Sequence, residues 1–158
     1  MLEELCDWIS GTRLSLIIQN VSWIIPAVQS LHILSVAVVM SSMAMLDLRL
    51  MNLAGRRQPV SIMAGRLLPW MWSALGVLTV TGAVLIIGEP SRDLPNPVFQ
   101  AKMAMLGVVV ALTFVVQRQI RKEETFWETR RIAARVAAGA SLLLWVAIVT
   151  AGRWSAYV

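Results

Sequence analysis

The segment Ile24 to Leu46, IIPAVQSLHILSVAVVMSSMAML, decides what kind of molecule this is. It carries no formal charge, and its polar side chains are serines, one glutamine and one histidine. A helix rises about 1.5 Å per residue and the hydrocarbon core of a bilayer is about 30 Å thick, so roughly 20 apolar residues cross it. This segment is long enough. Inside lipid every backbone N–H and C=O must pair within the chain, which makes such a span a helix.

Three more segments read the same way, at about 67–88, 98–117 and 132–152. The second has no charge, the third holds Lys102 and the fourth has Arg135 near its start. Gly, Pro and clustered arginines separate them. The composition agrees: of 158 residues 58% are hydrophobic and 15% charged, with a mean hydropathy of +0.70. Soluble domains run about 45–50% apolar and about 25% charged. A disordered chain is excluded, and a soluble globule is disfavoured. One cysteine, Cys6, cannot build a disulfide framework. The expectation is an all-α integral membrane four-helix bundle forming one domain over 1–158.

Residues from about 2 to 20 differ. Glu3, Glu4, Asp7 and Arg13 interleave with Leu2, Leu5, Trp8 and Ile9 at helical spacing. This predicts an N-terminal interfacial amphipathic helix that ends near Ser10–Gly11. It lacks the basic start and small-residue cleavage site of a signal peptide. Cys6 is expected there without a partner.

Lys and Arg in short loops set orientation. Arg49, Arg56, Arg57, Arg66, Arg118, Arg121, Lys122, Arg130, Arg131 and Arg135 fall on one side. Arg13, Arg92, Lys102 and Arg153 fall on the other, with five of the nine acids. The first side nets +6 and the second −1, which accounts for the overall +5. The charge is a topology signal, and nucleic acid is not an expected partner. The expected place is a bacterial cytoplasmic (inner) membrane, with both termini outside. The lipid bilayer is the partner this implies; a homo-oligomer or a larger membrane complex stays open. Trp23, Trp70, Trp72, Trp127 and Trp154 sit near expected helix ends, where indole suits the headgroup region. Trp145 is expected between helices.

An ionisable residue inside a membrane needs a partner or a job. His32 is the only histidine, about eight residues into the first span. Gln29 and Ser35 flank it at i−3 and i+3, a polar stripe expected to face the bundle interior. Imidazole there suits heme iron, another metal or proton transfer. The alternative is a neutral histidine hydrogen-bonded to a neighbouring helix. Lys102, about four residues into the third span, either snorkels to the interface or meets an anionic ligand group. Antiparallel threading puts His32, Lys102 and Arg153 in one half of the bundle. An imidazole below a cationic rim suits an amphipathic ligand with acidic groups, such as the propionates of heme b. Met103 and Met105 lie at similar depth and are candidates for a second axial ligand. The nine methionines read otherwise as core filling. Asp47 reads as the closing residue of the first helix, with an Asp47–Arg66 pair as an option, and no carboxylate is expected deep in the bundle.

Four stretches carry a resemblance: Ser30–Leu34 with Asp47–Leu50, Arg66–Trp70 through Gly82, Pro97–Met103, and Ala151–Tyr157. Together they resemble an uncharacterised family of small bacterial four-helix membrane proteins. More distantly, the His of the first helix, the Arg-Leu-Leu entry to the second and the Phe-x-x-Lys start of the third are similar to HemJ-type protoporphyrinogen oxidases and to copper-resistance D membrane domains. That resemblance implies a heme-containing membrane oxidoreductase in which His32 and Lys102 matter for heme and activity. The chain departs from the HemJ pattern in its N-terminal amphipathic helix and in having no other histidine. The leading expectation is a heme-binding or redox-related membrane protein, with His32 as iron ligand and Lys102, Arg153 and Gln29 around the cofactor. A non-enzymatic membrane subunit and a copper-related protein are the alternatives.

Overall fold

A computed structural model describes residues 2–55, 58–122 and 131–154. Arg56, Arg57, Trp127, Arg130 and the acidic residues Glu123, Glu124 and Glu128 lie outside the described residues, so that part of the expected charge pattern does too. The described chain forms seven helices: α1 (Leu2–Ser10), α2 (Arg13–Asn20), α3 (Ile24–Leu50), α4 (Val60–Gly88), α5 (Pro90–Asp93), α6 (Pro97–Lys122) and α7 (Arg131–Trp154). Within α3, α4, α6 and α7 lie four segments long and apolar enough to cross a membrane. This is a multi-pass, all-α membrane protein.

The four long helices exceed their expected bounds. At 27 and 29 residues, α3 and α4 are about 40 Å long and overrun a hydrocarbon core of about 30 Å. The overrun matters at the arginine-rich end, where α3 continues through Asp47 to Leu50 and α4 starts at Val60. Apolar periodicity explains both extensions. Val39, Met43, Leu46 and Leu50 recur at helical spacing and are buried, as are Val60, Ala64, Leu68 and Met71. Val109, Val116 and Ile120 of α6 and Ala134, Ala138, Trp145 and Ile148 of α7 complete one core. Small residues on α4 and α7 let the backbones approach. The core is concentrated towards the arginine-rich end.

Contacts run from α4 to α3, from α3 to α7 and from α7 to α6. The seam between α4 and α6 is much thinner. A groove of about 530 Å³ opens there, lined among others by Ser61, Gly65, Pro69, Trp72 and Gln117. Pro69 sits inside α4. Lacking an N–H, it leaves the Gly65 carbonyl without its usual helical partner.

The N-terminal region is two helices rather than one. Thr12 caps α2, its Oγ1 accepting from Ser15 N at 3.3 Å. Both helices pack on the opposite end of the bundle, around α5. Ser15 Oγ donates to Ile87 O at 2.7 Å, and Ile18 lies on Gly88, where a Cβ would come within 3.1 Å of it. Cys6 is buried and its Sγ donates to Pro90 O at 3.6 Å, so the expectation of a partnerless cysteine is corrected. The other faces of α1 and α2 expose Trp8, Leu14 and Ile17, which fits a position in the membrane interface. Trp23, Trp70 (71% exposed) and Trp154 also point outward, as membrane anchors do.

Candidate functional site

His32 is half-buried and faces α4. Its Nδ1 lies 2.8 Å from Thr81 Oγ1. The Thr81 hydroxyl has one proton, and it lies 2.8 Å from Val77 O and 3.1 Å from Leu78 O, so it donates into its own helix. Assigned from this network, Nδ1 carries the imidazole proton and donates it to Thr81, leaving the lone pair on Nε2. Among the described residues Nε2 has no hydrogen-bond partner. Gly82 lies beside the ring: a Cβ there would stand 3.5 Å from His32 Cε1, in ordinary van der Waals contact.

Lys102 of α6 reaches the same half of the bundle. Its side chain lies along Gly152 of α7, with Nζ 3.9 Å from where a Cβ would stand. Nζ also sits 5.4 Å from the centroid of the Phe99 ring, a cation–π contact. It is close enough to act on the imidazole electrostatically. Lys102 thus packs on α7 and Phe99, and His32 on α4, in the same half of the bundle. Arg153 follows Gly152 at the end of α7 and is exposed.

Gln29 does not join them. A helix turns about 100° per residue, so a stripe at i, i+3, i+6 drifts by about 60° at each step. Ser35 is buried, His32 is half-buried and Gln29 has rotated out to the surface. The expected interior stripe is thus a spiral, and Gln29 leaves the site. Met103 is 44% exposed and turns away from the core, whereas Met105 packs against it. Thr81 and Gly82, the residues that hold the imidazole, were not visible as site residues. Their signal was depth: threading α4 antiparallel to α3 sets residue 81 opposite residue 32.

A second polar cluster lies towards the arginine-rich end. Asp47 is 2% exposed and faces α7, so it neither caps α3 nor reaches solvent. This corrects the expectation that no carboxylate lies inside the bundle. Asp47 is one turn after Met43 and three residues before Leu50, both core residues, and the helix turn carries it inward with them. Its Oδ2 has no hydrogen-bond partner. Ser141, 4% exposed, lies beside the carboxyl, but its Oγ lacks hydrogen-bonding geometry. Trp72, expected as a headgroup anchor, instead donates Nε1 to Gln117 Oε1 at 2.8 Å. Among the described residues no three His, Cys, Asp or Glu side chains gather as a metal centre.

The model of a family of unknown function, DUF6644, matches residues 6–158. The chain belongs to this family. Its match covers α2 to α7 and most of α1, so both polar clusters lie within the DUF6644 region. No curated protein and no solved structure matches the chain. No likeness to HemJ-type oxidases or to copper-resistance D domains is shown.

Proposed function

We propose that this DUF6644 protein holds a heme b in the half of its bundle nearest α5. His32 Nε2 is the iron ligand, and Lys102 and Arg153 stand beside the propionates. The observation that supports this is the Thr81 hydrogen bond to His32 Nδ1 at 2.8 Å. Metal-ligating histidines donate their second ring N–H to an oxygen, which fixes tautomer and orientation. Thr81 supplies that oxygen and leaves Nε2 as the donor. His32 would ligate the iron and Lys102 and Arg153 would face the propionates, and one chain with a single histidine could not supply two histidine ligands. Heme, when bound, supplies one-electron chemistry. The chain's own residues orient the imidazole and hold the carboxylates.

The test is an absorption spectrum of the full chain purified in detergent and titrated with hemin. A Soret band is expected for the wild type and is lost in His32→Ala. Lys102→Ala weakens binding by roughly tenfold, the loss of one charge-assisted contact. A wild type that gains no Soret band, or a His32→Ala variant that binds equally, refutes the reading.

A second reading is a non-enzymatic subunit of a membrane complex, favoured by the thin α4–α6 seam and its groove. His32 is then a tie between α3 and α4, worth about 0.6 kcal/mol. A colourless wild type with a His32→Ala variant less stable by about that amount supports it. In either case the proposed placement is a bacterial inner membrane with both termini outside. A reporter active only in the periplasm, fused after Val158, is expected to be active, and one fused after Arg57 inactive. The reverse pattern overturns the orientation.

A further inference from the structure

We propose that Asp47 and the oxygens around it bind one small monovalent cation, an alkali-metal ion, between α3, α6 and α7. The inference does not depend on the heme reading, because the two sites lie towards opposite ends of the bundle. It begins with an imbalance. An unpartnered carboxylate buried among membrane helices is costly and is kept where something meets it. Among the described residues Oδ2 makes no hydrogen bond, and no cationic side chain lines the space in front of it.

That space is a cavity of about 10 Å³, room for about one water-sized particle. Asp47, Ser141, Thr113 and Gln117 bring side-chain oxygens to its lining. Ser141 Oγ has no partner and is buried. Thr113 Oγ1 spends its proton on Val109 O at 2.8 Å, so its lone pairs remain. Gln117 Oε1 accepts from Trp72 and keeps a second acceptor site. Hard oxygen donors select alkali and alkaline-earth ions over softer metals. A single carboxylate balances a single positive charge, and a divalent ion would leave an uncompensated charge in the bundle. Size and charge together therefore point to one dehydrated alkali cation. Leu68 and Gln117 line both this cavity and the α4–α6 groove, which gives the ion an entry.

The experiment is thermal unfolding of the full chain in detergent, in LiCl, NaCl, KCl or choline chloride at equal ionic strength. A ligand that binds only the folded state raises Tm, by roughly 5 °C or more at a hundredfold excess over its Kd. At least one alkali salt is expected to give a saturable rise that choline does not, and the three salts identify the ion. Asp47→Asn is expected to flatten the response. Ser141→Ala and Thr113→Val keep the carboxylate and are expected to move half-saturation at least tenfold higher, so the test survives if the Asp47 variant fails to fold. Equal Tm in all four salts overturns the site. So does an alkali response that persists in Asp47→Asn, or one that neither hydroxyl variant shifts. Stabilisation by acid alone, with no alkali effect, assigns the cavity to a water beside a neutral carboxyl and likewise overturns it.

Discussion

Trp145→Ala is expected to lower the thermal midpoint by roughly 9 °C, the largest single-residue effect on stability in the molecule. Trp145 is 5% exposed and packs in the core with Val39, Met43 and Met71. Removing an indole from such a site costs about 3–5 kcal/mol in soluble proteins, where lost transfer energy and a residual cavity add. In a bilayer the transfer part is small, because lipid tails are as apolar as the core, and lost packing remains. The low end, about 3 kcal/mol, is therefore the expected cost, and each kcal/mol moves Tm by roughly 2–4 °C in a chain of this size. Trp145→Phe separates packing from polarity. It keeps most of the volume and removes an indole N–H that has no hydrogen-bond partner. Its expected cost is below about 1.5 kcal/mol. Thermal unfolding of the three proteins in one detergent checks both values, and a Phe variant as unstable as the Ala variant contradicts the packing account.

The second large effect has the opposite sign. In choline chloride, Asp47→Asn is expected to be more stable than the wild type by about 1–3 kcal/mol, the range for a buried group left unpaired. The substitution keeps the shape of the side chain and removes its charge, so the core need not repack. A lower Tm for Asp47→Asn in that medium shows that the carboxylate has a protein partner and contradicts the unpaired state. Saturating alkali salt narrows the gap, because it stabilises only the wild type.

The architecture was legible because lipid leaves few choices. Apolar runs about as long as Ile24–Leu46, with at most one charge each, read as spanning helices, and four of them make a bundle. The helix ends were less so. Arg66 marked the expected start of the second span, yet α4 starts at Val60, since a helix that leaves the hydrocarbon layer pays no penalty for carrying an exposed arginine. The same overrun turned Asp47 from an apparent terminus into a buried residue. Its helical register with Met43 and Leu50 was the available signal, and its charge masked it. At the first site, depth was legible and azimuth was not. His32 and Lys102 share a half of the bundle; Gln29 lies one helical step away and drifts to the surface. Thr81 had no distinguishing mark beyond its depth, because threonines in spanning helices commonly bond their own backbone, as Thr79 and Thr150 also do.

The thin seam between α4 and α6 has a consequence for supply. Leu68 and Gln117 line both the groove there and the cavity at Asp47, so what enters the groove has only those two side chains between it and the carboxylate.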